Sequence, residues 1–200
     1  MQMNRYLLII PLLAFFAIGC KKESALFETK VLYKEPFESV GSWVLETEQD
    51  TTGPSDQHGS SSANISGSRL NMSVNGCTEC SATTPLSISS LDLEEGEIIE
   101  VTLSDVSFEA YPVSSQKNEI SISFPGFDLS ITPIEDFENQ TYTFRFQEGE
   151  LYYKESADIE LEFDMETSTS AIAITNRAAS LGDCICGTSL EIGSIEIHRY

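Results

Sequence analysis

The sequence predicts an all-β fold of antiparallel strands, arranged as a sandwich or a barrel. Apolar and polar residues alternate over many short segments, such as 99–103 and 159–165. Turn-forming Gly, Pro, Asn and Ser residues separate these segments. No segment combines apolar residues at helical spacing with capping residues. Because the alternation leaves one face of each strand polar, we expect antiparallel sheets with one face towards water.

The first predicted strands lie on either side of a polar loop. Lys30–Lys34 and Ser42–Thr47 alternate, and Arg69–Val74 alternates again. Between them, Asp50–Ser62 is polar and contains Gly, Pro and several Ser residues. This composition predicts a long loop.

A bulge is predicted in the strand that follows. Alternate residues of Ile99–Leu103 are apolar, but the apolar positions then move by one residue to Val106 and Phe108. Neighbouring residues of a strand point to opposite faces, so keeping these residues on one face requires an extra residue. We therefore expect a β-bulge near Ser104–Asp105.

The second half of the chain predicts a series of strands joined by short turns. Pro125-Gly126 and Glu148-Gly149 are the clearest tight-turn candidates. The predicted strands are Ile120–Phe124, Phe127–Ile131, Tyr142–Phe146, Leu151–Tyr153, Ile159–Met165, Ala171–Ile174 and Leu190–Ile197.

The order of these features resembles jelly-roll sandwiches of the concanavalin A-like and laminin-G type. The matching features are an early strand with Trp43, the stretch Gly67–Met72, a late hairpin at Thr141–Lys154 and the closing strand Leu190–Ile197. The resemblance implies an antiparallel β-sandwich of jelly-roll type over residues 30–200. It contains no diagnostic motif, so it assigns no binding residue.

The N-terminus has the parts of an export signal. A short segment with the cation Arg5 precedes the apolar stretch Tyr6–Gly19, which is shorter than the roughly 20 apolar residues of a membrane-spanning helix. The stretch ends in Ala17-Ile18-Gly19-Cys20, which resembles the lipobox of bacterial lipoproteins. An ordinary signal peptide or a membrane helix with an incidental cysteine is the alternative.

The lipobox resemblance implies cleavage before Cys20 and attachment of a diacylglycerol to its thiol. Residues 1–19 would then be a signal peptide, 20–29 a lipidated tether and 30–200 the β-sandwich. Two acyl chains anchor a protein stably, so no second membrane signal is needed. Lys21-Lys22 lacks the Asp that resembles an inner-membrane retention signal, which favours the outer membrane of the cell envelope.

The mature chain is strongly acidic. The formal charge of the whole sequence is −21, and removal of Arg5 with the signal peptide makes it more negative. Nucleic acid and anionic headgroups would repel such a protein. Neutral glycans, cations and basic envelope proteins are the partners left open.

Four further cysteines form two close pairs, Cys77 with Cys80 and Cys184 with Cys186. An exported location permits disulfides, and bonds between the two pairs avoid a very tight Cys184–Cys186 ring. Such bonds require residues near 78 and 185 to be neighbours. A four-thiolate zinc site and free thiols are the alternatives.

Three carboxylates alternate in Glu162-Phe163-Asp164-Met165-Glu166. This order resembles the E-x-D-x-E motif of family 16 glycoside hydrolases, which implies a nucleophile and a general acid among Glu162, Asp164 and Glu166. The alternation begins earlier, at Asp158 and Glu160, so an amphipathic strand in an acidic protein explains the pattern as well. The same row offers oxygen ligands to calcium, but no Asp/Asn/Gly loop spacing supports a metal site.

Aromatic residues give the sequence its candidate ligand contacts. Trp43, Tyr152 and Tyr153 could stack on sugar rings, although core packing explains them equally well. Tyr152 and Tyr153 are adjacent, so on a strand they must point to opposite faces. No serine-hydrolase elbow, phosphate loop or nucleotide fingerprint is present, and no cofactor is implied.

These observations favour a non-enzymatic binding or structural module, with a glycan as one possible ligand. A glycosidase-like hydrolase is the competing hypothesis.

The lipid anchor can be tested by replacing Cys20. We expect Cys20→Ser to remain an uncleaved precursor without acyl chains, because the thiol is the attachment point. Mass spectrometry of the membrane-extracted protein measures both changes. Cys77→Ser removes a thiol outside the lipobox and should stay lipidated. An unmodified residue 20 in the native product would contradict the prediction.

Overall fold

A computed structural model describes residues 29–50, 59–76, 78–85, 97–110, 116–124, 126–147, 150–153, 158–164, 171–180 and 187–200. These residues form fifteen strands and no helix, so none of them builds a helix long and apolar enough to cross a membrane. The strands pair antiparallel in two sheets, one of nine strands and one of six. The predicted antiparallel β-sandwich of jelly-roll type is confirmed.

The strands follow one another with short connections where the connections are described. Their bounds are β1 Lys30–Glu35, β2 Val44–Thr47, β3 Gln49–Asp50, β4 Gly59–Ser66, β5 Arg69–Asn75, β6 Glu79–Pro85, β7 Ile98–Ala110, β8 Gln116–Phe124, β9 Phe127–Pro133, β10 Phe137–Gln147, β11 Glu150–Tyr153, β12 Ile159–Asp164, β13 Ala171–Ser180, β14 Gly187–Ile192 and β15 Ser194–Arg199.

The nine-stranded sheet, called the first sheet, is organised around β7. On one side β7 pairs with β10, which pairs in turn with β11. On the other side it pairs with β14 and β15 in one uninterrupted register, from Thr188 opposite Ala110 to Arg199 opposite Ile99. These two strands are therefore halves of one strand broken at Gly193. β5 flanks β14, and β1 flanks β15.

The six-stranded sheet, called the second sheet, has the order β12-β9-β8-β13-β6-β2. Its inward residues pack against those of the first sheet in one hydrophobic cluster. Phe127 of the second sheet lies 4.1 Å from Phe146 of the first, measured between ring centroids. Phe163 lies 5.1 Å from the same Phe146 ring. Aromatic contacts of this kind hold the two sheets face to face.

The predicted loop over Asp50–Ser62 is wrong at its C-terminal end, because β4 begins at Gly59. Polar residues fill the outward positions of β4, namely Ser60, Ser62, Asn64 and Ser66, and only Ala63 and Ile65 mark its inward face. The strand forms because the turn Gly67-Ser68 returns the chain along it. Both turn residues have positive φ, 61° and 58°, the geometry of a two-residue type I′ hairpin turn.

β6 was also not predicted. Its buried positions are Cys80, Ala82 and Thr84, and small or hydroxyl-bearing residues alternate with them. The contrast in hydrophobicity between its faces is low, so the sequence gives little strand signal. Pairing on both sides, with β13 and β2, fixes the strand in place.

A buried polar bridge joins the sheets near one end of the sandwich. Asn176 of the second sheet is fully buried. Its amide nitrogen donates to the Met72 carbonyl at 3.4 Å, and its oxygen accepts from the Thr188 hydroxyl at 3.1 Å. Buried polar groups are costly unless paired, so this bridge favours one alignment of the sheets.

We expect Asn176→Ala to lower the free energy of unfolding by about 2–4 kcal/mol, because it leaves a cavity and an unpaired buried hydroxyl. Urea unfolding with an unchanged m-value measures the loss. Thr175→Ala on the same strand removes an outward side chain and should change stability by less than about 0.5 kcal/mol. Similar stability of both variants would show that the bridge is not stabilising.

Candidate functional site

The acid row of the glycosidase hypothesis lies on an open strand face. β12 is the edge strand of the second sheet, and Glu162 and Asp164 point outward from it to solvent while Phe163 packs against the core. Glu166 lies outside the described residues. Glu162 and Asp164 share one exposed face of this edge strand. The geometry matches the amphipathic-strand interpretation.

Trp43 belongs to the core, which corrects its assignment as a ligand contact. Its side chain is only 4% exposed, and its ring packs on Phe37 with centroids 5.3 Å apart. The indole N–H donates to Glu35 Oε2 at 3.0 Å. The ring is thus enclosed on its faces and satisfied at its polar edge, so it offers no surface to a glycan.

The two adjacent tyrosines point to opposite faces, as predicted. Tyr153 stacks on Phe144 with centroids 5.1 Å apart and packs against the core. Tyr152 is 53% exposed on the outer face of the first sheet, and its hydroxyl donates to Glu150 at 3.1 Å. Only Tyr152 therefore remains a candidate ligand contact.

Cys80 is a free, buried thiol, so its predicted disulfide is not observed. Its Sγ–H donates to the Ser73 carbonyl at 3.8 Å. Cys77, Cys184 and Cys186 lie outside the described residues, as does Cys20. Asn75 pairs with Gly187, so the described residues next to Cys77 and Cys186 lie close together. The predicted disulfide bonds of Cys77, Cys184 and Cys186 stay a prediction.

The predicted bulge is confirmed and involves two strands. The register of β7 with β10 shifts on both sides of the pair Gln140–Val106. Asp105 and Asn139 have positive φ, 53° and 51°, a conformation that Asp and Asn tolerate better than most residues. Bulges of this kind commonly lie beside functional sites, where they redirect side chains.

Glycine is required opposite the bulge. A Cβ atom on Gly193 would lie 2.7 Å from the Cβ of Asp105, which is closer than carbon atoms pack. The Gly193 N–H donates to the Ser104 carbonyl at 3.0 Å. Gly193 thus lets the broken strand stay paired with β7 through the bulge.

Arg69 of β5 holds the bulge in place from across β14, the strand between β5 and β7. Its guanidinium donates to the Asp105 carbonyl at 2.8 Å and to Asn139 Oδ1 at 3.1 Å. It also lies 3.6 Å from Glu191 Oε2. One side chain thereby holds both residues of the bulge that have positive φ, Asp105 and Asn139. The planar fork of arginine suits such multiple acceptors.

A cleft of about 690 Å³ opens on the outer face of the first sheet beside the bulge. We call it the bulge cleft. Its position on central strands makes it rigid, and its size lies in the range of small-ligand sites. The residues that line it are Arg69, Ser107, Phe108, Glu109, Asp136, Phe137, Glu138, Asn139, Ser189 and Glu191.

Backbone and side-chain hydrogen bonds fix several walls of the bulge cleft. Asp136 accepts from the Ala110 N–H at 2.8 Å, and the Ser107 hydroxyl accepts from the Asn139 N–H at 3.0 Å. Among the described residues no group of three His, Cys, Asp or Glu side chains is placed to hold a metal ion. The cleft therefore offers polar contacts to a ligand and shows no metal centre within the described part of the chain.

Sequence reasoning did not identify the bulge cleft. Its residues come from four strands and a loop that are distant in sequence, and none belongs to a motif. The available signals were the shift of apolar positions at Ser104–Asp105 and the glycine that interrupts the closing strand at Gly193.

Neither a protein-family model nor a curated protein sequence matches the chain. Among solved structures, the chain is similar to the CBM2 module of the evolved Dit protein of Lactobacillus casei BL23 phage J-1. The two are 9% identical, the match covers 85% of this chain and 95% of that one, and the TM-score is 0.42. A family 11 carbohydrate-binding module from Clostridium thermocellum, in complex with a β-1,3-1,4-mixed-linked tetrasaccharide, has 13% identity, coverage of 84% and 94%, and a TM-score of 0.38. Likenesses this distant identify no ligand for this chain, and its own strand pairing establishes the sandwich.

The buried thiol of Cys80 leads us to expect a loss of stability at alkaline pH. Burial, and secondarily the charge of Glu79, raise the pKa of the folded thiol to about 12, whereas an unfolded thiol ionises near its ordinary pKa of about 8.5. Ionisation then favours the unfolded chain, so the thiol's contribution is complete below about pH 8.5 and is lost as pH rises towards 12.

We expect the wild type to lose more unfolding free energy than Cys80→Ala between about pH 8 and pH 10.5, as measured by urea unfolding. Burial also raises the pKa values of Tyr33 and Tyr142, but these groups are present in both proteins. Equal losses in the two proteins would contradict the assignment of Cys80 as a buried free thiol.

Proposed function

We propose that this protein is a non-enzymatic glycan-binding module held at the bacterial cell envelope by a lipid on Cys20. The bulge cleft is the proposed binding site. The observation that carries the proposal is a preformed cleft whose walls are planar carboxylate, amide and guanidinium groups mounted on paired strands. Sugar hydroxyl groups both donate and accept hydrogen bonds, so they complement such walls.

Strand pairing around the bulge cleft supports binding without rearrangement. β7 and β14 are each paired on both sides, so the side chains at the bottom of the bulge cleft are held by the ladder. A preformed site avoids the entropy cost of ordering its own side chains on binding. Weak hydroxyl contacts can then give useful affinity.

Turnover is not part of the proposal. The described acids nearest to a catalytic pattern, Glu162 and Asp164, lie on the other sheet from the bulge cleft. Tyr152 shares the outer face of the first sheet with the bulge cleft, but it lies on β11, two strands from β7. Only a ligand that extends from the cleft to β11 would also reach it.

The site can be tested by blocking the cleft. We expect a glycan found in a panel of soluble oligosaccharides to bind Ser189→Trp at least about tenfold more weakly than wild type, because the indole would occupy the cleft. Isothermal titration calorimetry measures the affinity, and product analysis should show no cleavage.

Ser123→Trp is the matched control. Ser123 is a partly exposed, outward serine on a central strand of the second sheet, so this variant should keep wild-type affinity. Equal weakening of binding by both substitutions, or no weakening by either, would show that the site lies outside the bulge cleft. Hydrolysis that Glu162→Gln abolishes would instead support the glycosidase hypothesis.

A further inference from the structure

The bulge cleft carries an unbalanced negative charge. Four carboxylates line it, and they face a single guanidinium, that of Arg69. The carboxylates belong to Glu109, Asp136, Glu138 and Glu191. Glu109 lies on β7, Glu191 on β14 and Glu138 on β10, and Asp136 lies just before β10. The four carboxylates therefore come from different parts of the cleft wall instead of forming one row on a single strand. A ligand in the cleft meets negative charge from several directions.

The guanidinium is already occupied by the protein. Arg69 donates to Asp105 and Asn139 and lies beside Glu191. Its position is set by the bulge, because both hydrogen-bonded acceptors belong to residues with positive φ. Turning it towards an anionic ligand would break these contacts, so it is poorly placed to neutralise one.

Two of the carboxylates have no partner within the described part of the chain. Among the described residues, none forms a side-chain hydrogen bond or ion pair with the carboxylates of Glu109 and Glu138, and both residues are exposed. An ionised carboxylate only accepts hydrogen bonds. The ligand must therefore supply donors, and an ammonium group supplies three donors together with a compensating charge.

We propose, on the basis of the proposed glycan-binding function, that the bulge cleft selects amino sugars with free, protonated amines. Glycans that carry uronate, sulfate or phosphate groups are excluded by repulsion. Uncharged glycans bind through hydroxyl donors but lack the charge-assisted contacts. The ligand class is therefore a polymer of sugar rings that carries hydroxyl groups together with positively charged amines.

A glycan is favoured over a basic protein segment because the cleft lacks an open strand edge. Both edges of β7 and of β14 are taken up in the first sheet, so an extended peptide cannot pair its backbone there. A glycan needs no such pairing, since its recognition groups are hydroxyls and amines. A lysine-rich peptide is nevertheless a useful competitor in the test.

The test compares three oligomers of equal length on the full lipid-free protein. The probes are β-1,4-linked glucosamine, its fully N-acetylated counterpart, and galacturonate. At low salt we expect the free-amine oligomer to bind about tenfold more tightly than the acetylated one, with no binding of galacturonate. The preference should shrink to about twofold in 0.5 M salt, because exposed charges are screened.

Charge-neutral variants locate the effect. Glu109→Gln and Glu138→Gln should each reduce the amine preference several-fold, because each variant weakens binding of the free-amine oligomer more than binding of the acetylated one. Glu162→Gln, which removes an exposed carboxylate from β12, is the matched control and should behave as wild type. Equal loss in Glu162→Gln would mean that only the net charge of the protein attracts the amine, which overturns the inference.

The remaining outcomes separate this inference from the proposed function. If the acetylated oligomer binds and Ser189→Trp blocks it, but the free amine binds no better, the amine inference fails and glycan binding stands. If no glycan binds, both fail. Displacement of the oligomer by a lysine-rich peptide at lower concentration would overturn the inference in favour of a protein partner.

Discussion

The first sheet depends on a one-residue break in β7, where Asp105 faces Gly193. The strand must place Val106 and Phe108 in the core although they are out of phase with the residues before them. The extra residue Asp105, which has positive φ, achieves this, and Gly193 leaves room for it on the neighbouring strand. The bulge cleft lies beside this break, on the outer face of the same strands.

Much of the fold could be predicted because its central strands are strongly amphipathic. Alternation at Ile99–Leu103 and in β8 to β10 identifies strands that must bury one face, and the shift before Val106 identified the bulge. β4 and β6 were missed for a common reason. Their inward residues, such as Ala63 and Ala82, differ little in hydrophobicity from the serines and threonines around them. Those strands form through pairing with distant neighbours, which a local pattern does not record.

The candidate site was beyond prediction for a different reason. Its character arises from Arg69, Glu109, Asn139 and Glu191, which the sheet brings together from widely separated parts of the sequence. Each is an ordinary polar residue in an acidic chain, so composition does not distinguish it. Trp43 illustrates the opposite case. A tryptophan draws attention in a sequence, but burial and its hydrogen bond to Glu35 make this one a core residue.

The position of β12 at the edge of the second sheet has a consequence for association between copies of the protein. Among the described strands β12 has a partner on one side only, and an unpaired strand edge is a template for joining copies of a protein into assemblies. Antiparallel pairing of two such strands centred on Glu162 would place Glu160 of one molecule opposite Asp164 of the other, and Glu162 opposite its own copy. Like charges in that arrangement repel. The acid row therefore disfavours this pairing of two copies through β12.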